Sequence, residues 1–164
     1  MYEYRCKVLK VVDGDTADVD IDLGFGIVLT DERVRLMGID TPESRTRDKV
    51  EKLFGKASSA RLKQLIGGKS GPILKTQINR DGEDMKGKFG RILGDFSCYH
   101  DATDSWRMAT DILIEEGHAV AYFGGSKEEI SAKHLVNRDK LLREGIVSKA
   151  DFDKATALME KKNK

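Results

Sequence analysis

Polar and apolar residues alternate in the N-terminal part of the chain. From Thr16 to Leu23, every second residue is apolar and the positions between carry threonine or aspartate. A period of two is typical of a β-strand with one buried face. Strand patterns resume at Ile27–Leu29 and Arg33–Ile39. Thr41-Pro42 ends them, because proline has no N–H to donate to a sheet. We therefore predict that most of the first 45 residues form β-strands.

Helical spacing of apolar residues begins near Val50, and Gly67-Gly68 ends that helix. Three later helices are predicted: Asp104 or Ser105 to Glu116 with Trp106 on its inner face, Ser126 to Glu144, and a short C-terminal one at about Ser148–Met159. Ser126 with Glu129, and Ser148 with Asp151, are typical of capping boxes. Two more strands are predicted at Ile73–Asn79 and Arg91–Cys98, flanking a hairpin. The pattern predicts an α+β fold, a small barrel with helices against it.

Length and charge narrow the class of protein. The 164 residues suit one domain. With 29 basic and 28 acidic residues the net charge is +1, which argues against a uniformly basic nucleic-acid coat. The chain has no apolar run of about 18 residues, so no transmembrane helix is expected. No obligate protein partner is evident, and we expect a monomer.

The cysteines and the N-terminus suggest a cellular location. Cys6 and Cys98 are too few for a disulfide framework, and both are predicted to be buried thiols in a reducing compartment. The N-terminal MYEYRCKVLK carries charge throughout and lacks an apolar stretch, so no signal peptide is expected. We therefore expect a cytoplasmic protein; a plasmid- or bacteriophage-encoded one stays open.

Several acidic and basic residues near predicted strand ends are candidates for chemistry. Asp15 follows the same alternation as the apolar strand residues, so its side chain is predicted to point to the buried face. A buried carboxylate needs a cation or a hydrogen-bond donor nearby. Asp40 and Glu43 flank the Thr41-Pro42 turn, with Arg35 on the strand before it, and Arg91 begins a later strand. Taken singly, each has a simple alternative: a turn, a surface arginine or a hairpin exit.

Taken together, these residues supply what phosphodiester hydrolysis needs. Two aspartates can bind a hard divalent cation, with a backbone carbonyl and waters completing its shell. Glu43 is then free to deprotonate water, and two arginines can bind phosphate oxygens. A cation, a base and stabilisation of a five-coordinate phosphorus would thus lie in one site.

The segment 44–63 carries seven basic and two acidic residues, a local net charge of +5 on an almost neutral chain. Its first part is predicted to be a loop beside Glu43. A solvated loop without a specific task is the alternative, but its position favours binding of substrate phosphates by Arg45, Arg47 and Lys49.

Other patterns are weaker. Asp18, Asp20 and Asp22 imitate the start of an EF-hand loop, but Leu23 and Leu29 occupy the places of its glycine and glutamate, which favours a solvated strand face. The three histidines, at positions 100, 118 and 134, lack the short spacing of a zinc site.

The chain resembles the staphylococcal nuclease (thermonuclease) family. The matching segments are VDGDT at Val12–Thr16, RLMGIDTPE at Arg35–Glu43 and KFGR at Lys88–Arg91, in the family's order and spacing. Gly117–Tyr122 resembles the stretch after the family's second helix. The likeness covers about residues 4–147. It implies a five-stranded Greek-key barrel, the OB-fold, with three helices packed on it, a fold that commonly binds nucleic acid on one face.

The resemblance also implies an activity: a Ca²⁺-dependent endonuclease that cuts DNA and RNA and leaves 3′-phosphates. By matched position, the Ca²⁺ ligands would be the carboxylates of Asp15 and Asp40 and the carbonyl of Thr41. Glu43 would be the general base for the attacking water. The reacting phosphate would be contacted by two arginines, Arg35 and Arg91.

Further positions would contact the substrate. Lys88 matches a lysine near the nucleotide phosphates, and Tyr122 a tyrosine near the sugar or base. Phe89 stands where the family usually has a phosphate-contacting tyrosine, so one hydroxyl is missing while stacking is retained. Ser97–Ser105 is longer than the family's turn. We predict a nuclease domain at residues 1–147, with residues 148–164 as a C-terminal helical extension of it.

Two other functions stay open at this point. A non-catalytic OB-fold module that only binds nucleic acid would not need the full set of carboxylates and arginines, and all of them are present. A calcium-binding structural domain would leave the arginines unexplained.

Overall fold

The computed structural model describes residues 2–68, 71–77 and 90–162. Within them, strands and helices follow one another in this order: β1 (Glu3–Asp13), β2 (Thr16–Gly24), β3 (Ile27–Leu36), β4 (Ile39–Asp40), α1 (Lys49–Ile66), β5 (Ile73–Thr76), β6 (Ile92–His100), β7 (Ser105–Met108), α2 (Ala109–Glu116), β8 (Val120–Ala121), α3 (Lys127–Arg143) and α4 (Lys149–Lys162). The predicted hairpin between β5 and β6, with Lys88 and Phe89, lies outside the described residues.

Five of these strands close into a barrel. The sheet has the order β3-β2-β1-β5-β6-β7, and β3 also pairs with β6. That last pairing is parallel, with Val34 opposite Ile92 and Arg35 opposite Leu93, and it closes the five strands from β3 to β6 into a barrel, with β7 as an additional strand on β6. The closed barrel with helices packed on it confirms the predicted α+β OB-fold.

The alternating pattern of β2 produces the inside of the barrel. Ala17, Val19 and Ile21 are almost completely buried, as their period of two predicted. They pack with apolar residues of β3, β6, α1 and α2 in one cluster. Cys98 also lies in this cluster, and burial raises the pKa of its thiol to about 11.

The predicted start of the second helix, at Asp104 or Ser105, is wrong. Ser105–Met108 is strand β7, with Trp106 opposite Tyr99 on β6, and α2 begins only at Ala109. Trp106 is half exposed and makes an edge-to-face contact with Tyr99 instead of facing the core. Pairing with β6 satisfies the backbone of this segment, so helical spacing of its apolar residues did not decide its conformation.

A second apolar cluster lies beneath α1, α3 and α4. Phe54, Leu141 and Val147 are buried there, and Phe152 of α4 packs edge-to-face on Phe54 with ring centroids 6.2 Å apart. The Ser148 hydroxyl accepts a hydrogen bond from the Asp151 N–H at 3.1 Å, as its capping pattern predicted. The helix that follows runs from Lys149 to Lys162, about three residues beyond its predicted end at Met159.

A short ladder outside the barrel connects the two halves of the chain. Ile39 of β4 pairs with Ala121 of β8, and Asp40 pairs with Val120. The Tyr122 N–H donates to the Gly38 carbonyl at 2.9 Å, which extends the ladder by one residue. The ladder therefore brings the segment before α3 beside Asp40. None of the helices described is both long and apolar enough to span a membrane.

Candidate active site

Asp15 and Arg35 form an ion pair across neighbouring strands. Thr16, at the start of β2, lies opposite Arg35 on β3, and the Arg35 Nη2 is 3.3 Å from the Asp15 Oδ2. The Asp15 side chain is only 15% exposed and the Arg35 side chain 22%. The Thr16 hydroxyl donates to the other Asp15 oxygen at 2.8 Å. Asp15 follows the same alternation as the apolar residues of β2. Its carboxylate thus has the cation and the hydrogen-bond donor that its burial requires.

The Arg35 guanidinium is held by more than this ion pair. It donates to the carbonyls of Leu36 and of Ile39, the latter at 3.2 Å. The Asp15 carbonyl in turn accepts from the Leu36 N–H at 2.7 Å. These bonds fix the guanidinium where β3 leads into β4, close to the segment that carries Asp40. Little side-chain entropy is then left to lose when an anion binds there.

Helix α1 supports the loop that carries Thr41 and Glu43. A Cβ added to Gly55 would lie 2.3 Å from the Glu43 carbonyl oxygen, so only glycine allows this approach. A Cβ on Gly14 would lie 2.6 Å from the Ser58 Cβ and 3.2 Å from Thr41, which is itself 5% exposed. Gly55 of α1 is therefore packed against the Glu43 backbone, and Gly14 of the β1–β2 turn against the side chains of Ser58 and Thr41.

The carboxyl of Glu43 lies in a strongly acidic environment. Glu43 is an exposed residue, but partial desolvation of its carboxyl raises its pKa above the ordinary glutamate value. The neighbouring carboxylates raise this pKa further; they are Asp13, Asp15, Glu51 and Asp40. Asp13 is held by a hydrogen bond from the Ser44 hydroxyl, and Glu51 accepts weakly from the Glu43 N–H at 3.5 Å. Like charges this close favour binding of a cation.

Asp40 has a partner that the sequence did not reveal. The Nε2 of His134 on α3 lies 2.7 Å from the Asp40 Oδ2. An ionised carboxylate only accepts hydrogen bonds, so the imidazole donates here. The His134 side chain is 15% exposed and that of Asp40 is 41% exposed. Among the described residues, the other Asp40 oxygen accepts no hydrogen bond. The contact therefore orients Asp40 while leaving one oxygen open to solvent.

The remaining predicted site residues lie on segments that adjoin β3, β4 and α1. Arg91 is half-buried and directly precedes Ile92, whose strand neighbour is Val34, so Arg91 enters from the strand beside Arg35. Tyr122 is 44% exposed at the end of β8. The basic residues between Glu43 and α1 are exposed: Arg45, Arg47 and Lys49. The positions of Lys88 and Phe89 are not among the described residues.

The weaker patterns have structural explanations. Asp18 pairs with Arg33 at 2.8 Å on the surface, and Asp20 and Asp22 accept from backbone N–H groups of the β2–β3 hairpin. This agrees with a solvated strand face. His118 is buried, and burial lowers the pKa of its imidazole.

The donor set around Asp15 and Asp40 fits a hard cation such as Ca²⁺. It offers two carboxylates and the Thr41 carbonyl, all oxygen atoms, in a region of excess negative charge. Over residues 2–68, 71–77 and 90–162, no three side chains of His, Cys, Asp or Glu lie together as a group that could bind a metal ion, so a cation here would depend on the two aspartates and the carbonyl. Two carboxylates and a carbonyl would need waters to complete the shell, and such an open site suits a reaction in which water is a reactant.

Comparisons with known proteins agree with this geometry. The family model described as "Staphylococcal nuclease homologue" matches residues 33–154. The thermonuclease of Staphylococcus intermedius is 35% identical over 86 residues, which are 52% of this chain and 44% of that protein. The alignment thus spans less than half the length of this relative. The family match begins within β3, so Asp15 lies outside it and its assignment rests on its contact with Arg35.

Proposed function

The chain belongs to the staphylococcal nuclease family, and from this we propose that it is a Ca²⁺-dependent endonuclease that hydrolyses DNA, with RNA as a second substrate. The observation that carries the proposal is the convergence on Glu43. The carboxylates of Asp15 and Asp40 both act on the Glu43 pKa, and Arg35 is paired with Asp15. Four motif residues from the two segments Val12–Thr16 and Arg35–Glu43 therefore support one shared site.

Glu43 is the proposed general base. Its carboxylate would take a proton from water, whose oxygen then forms a bond to phosphorus. The bond from phosphorus to the 5′-oxygen breaks, and that oxygen leaves as a hydroxyl once protonated. The products are a 3′-phosphate and a 5′-hydroxyl. A pKa raised above the ordinary glutamate value makes Glu43 a stronger base than an isolated glutamate.

Two arginines would stabilise the charge that develops on the phosphate oxygens. Arg35 is held by bonds to the Leu36 and Ile39 carbonyls, so it would meet the phosphorane with little reorganisation. Arg91, on the neighbouring strand, would bind a second oxygen and assist the departing 5′-oxygen. Bound Ca²⁺ would add Lewis-acid stabilisation of the same charge. Asp15, Asp40 and Thr41 would hold it.

A non-catalytic nucleic-acid-binding barrel is the second candidate. It accounts for the fold and the exposed basic loop with Arg45 and Arg47. It does not account for a base beside two further carboxylates, because acidic groups repel a phosphate backbone unless a cation lies between them.

Plasmid digestion separates the two candidates. We expect supercoiled plasmid to be nicked and then degraded with millimolar Ca²⁺, and to stay intact with excess chelator. Mass analysis of fragments from defined oligonucleotides should give 3′-phosphate ends. Intact plasmid at high protein concentration with Ca²⁺, together with retained DNA binding, would favour the binding module.

The variant Glu43→Gln tests the role of the base. Glutamine keeps the shape but accepts no proton, so we expect the cleavage rate to fall by about 10²–10⁴. DNA binding in chelator should stay close to wild type. Glu32→Gln, at a half-buried position on β3, is the matched control and should cut normally. A Glu43→Gln enzyme that cuts at the wild-type rate would remove Glu43 from this role.

A further inference from the structure

A lysine-lined groove lies between α4 and α1, the helix that supports the loop with Glu43. The groove has a volume of about 260 Å³. Lys49, Lys52 and Lys56 line one wall, and Lys154 lines the other. The α1 lysines are three and four positions apart, so they lie on one face of that helix. This set of side chains is called the lysine groove below.

The lysine groove carries excess positive charge. Its four lysines are accompanied by one acidic residue, Asp151, which gives a local net charge of +3. Among the described residues, none of the four lysines takes part in an ion pair. On a chain with a net charge of +1, four cations gathered without internal partners point to an external anion.

The floor of the groove is apolar. Leu53 contributes from α1, and Ala155 and Leu158 contribute from α4. Lysine stems can lie along such a floor while their ammonium groups stay in water. The arrangement suits a flexible chain of regularly spaced anions better than a single small ion, because the charges are distributed along both walls.

The groove and the stripe that faces Glu43 are on different sides of the same helix, α1. Glu51 and Gly55 approach the Glu43 backbone from one face of α1. Lys52 and Lys56 each follow one of these residues, so they lie about 100° further around the helix. The exposed Arg45 and Arg47 occupy the loop that leads from Glu43 to α1. Basic residues are therefore present both on the loop that follows Glu43 and along the groove, which begins at Lys49.

We propose that the lysine groove binds the phosphodiester backbone of the substrate strand beyond the scissile bond. The inference rests on the proposed function, since it assigns the strand that Glu43 would cut. It gives α4 a direct role in binding nucleic acid. Contacts are to phosphates, so the groove adds affinity without base preference.

The test is the salt dependence of binding to single-stranded DNA in excess chelator, where cleavage does not interfere. The variant Lys56→Gln/Lys154→Gln removes one positive charge from each wall and leaves a shorter, uncharged polar side chain at both positions. The control Lys7→Gln/Lys63→Gln removes the same charge from exposed positions on β1 and the last turn of α1. A 20-nucleotide oligothymidylate and a 3-nucleotide one serve as probes.

The groove variant should bind the long probe with a less steep dependence of log K on log salt. Each lost phosphate contact on a single strand reduces the slope by about 0.7, so the expected change is about 1.4. The control variant and the short probe should show no such change. A wild-type slope in the groove variant, or an effect of Lys56→Gln without one of Lys154→Gln, would overturn the proposal.

This result is independent of the nuclease assignment. If wild-type protein fails to cut plasmid with Ca²⁺ yet shows the slope change, the proposed activity fails and the groove stands. If it cuts but the slopes agree, the groove fails and the activity stands.

Discussion

The hydrogen bond between Asp40 and His134 joins residues 94 positions apart in the chain. Their spacing in the sequence carries no signal, because histidines in metal sites are usually found by short ligand spacing. Only the β4–β8 ladder, followed directly by α3, brings the two side chains together. At the residue scale, the sequence was enough to identify Asp40 as a candidate Ca²⁺ ligand, but only the fold shows that the His134 imidazole orients it.

Replacing His134 should weaken Ca²⁺ binding. His134→Ala removes the donor that holds one Asp40 oxygen, and loss of such a supporting hydrogen bond typically costs about 10–100-fold in metal affinity. Isothermal titration with Ca²⁺, or Tb³⁺ luminescence, measures this without any turnover. His134→Gln, which keeps an N–H donor, should recover part of the affinity.

The control for this change is His100→Ala, because His100 is in the β6–β7 hairpin and contacts Thr103. It should bind Ca²⁺ like wild type. Equal affinities for wild type and His134→Ala would show that Asp40 is held without the imidazole.

At the scale of elements, α1 is the support of the catalytic loop. Gly55→Ala would raise helix propensity by about 1 kcal/mol, but its Cβ would meet the Glu43 carbonyl at 2.3 Å. The loop must move, so we expect unfolding free energy to fall by about 1–3 kcal/mol and cleavage to slow. Urea unfolding and plasmid nicking measure the two effects.

Gly68→Ala is the matched control for the α1 glycine. A Cβ at position 68 meets nothing within 4 Å, and the change should stay within about 0.5 kcal/mol of wild type. A Gly55→Ala protein as stable and active as wild type would mean that the close approach of Gly55 to the Glu43 backbone contributes to neither stability nor cleavage.

Helix α2 begins with an unusual arrangement, because its cap comes from another element. Met108 at the N-cap position makes no side-chain hydrogen bond, whereas Asp95 of β6 accepts from the Thr110 N–H at 3.3 Å and from the Thr110 hydroxyl. Burial raises the pKa of Asp95 from 3.8 to about 6. The folded protein therefore holds a proton between about pH 4 and 6 that the unfolded chain has released.

This pKa shift predicts a slope in stability. The pKa of Asp95 is higher in the folded protein than in the unfolded chain. Its contribution to the free energy of unfolding is therefore complete below the ordinary aspartate pKa and is lost as pH rises through about 6. The unfolding free energy should therefore decline over this range by about 3 kcal/mol from this group. Urea unfolding at several pH values, for wild type and Asp95→Asn, isolates the contribution. The same slope in both proteins would contradict it.

The sequence predicted much of the fold and of the candidate site, but not all of it. The alternation of polar and apolar residues predicted β2, and the serine capping patterns predicted the starts of α3 and α4. These elements are determined by local patterns and local hydrogen bonds. The motifs also identified Asp15 and Arg35, which the fold pairs. Trp106 was assigned to the wrong element because strand pairing with β6 depends on a distant segment. His134 and Asp95 act through tertiary contacts that no local pattern encodes.

At the scale of the whole molecule, the described residues form two apolar clusters, and the second connects α1 to the C-terminal helix α4. Phe54 of α1 lies between Phe152 of α4 and the Arg138 guanidinium of α3, which is 5.3 Å from its ring centroid. α4 is thus joined to the helix that supports Glu43. If this packing stabilises the fold, α4 unfolds together with the barrel and not as a separate unit.

Phe152→Ala tests this at the level of the whole molecule. Full burial of a phenylalanine makes its loss cost about 3–5 kcal/mol, and Phe152 is only partly buried, so about 2 kcal/mol is expected. That corresponds to a fall in Tm of about 4–8 °C in a chain of this size, within one cooperative transition. Leu135→Ala on α3, at a position 57% exposed, should change Tm little. A separate low-temperature transition, or an unchanged Tm, would mean that α4 folds independently of the barrel and that its lysine wall is not fixed relative to Glu43.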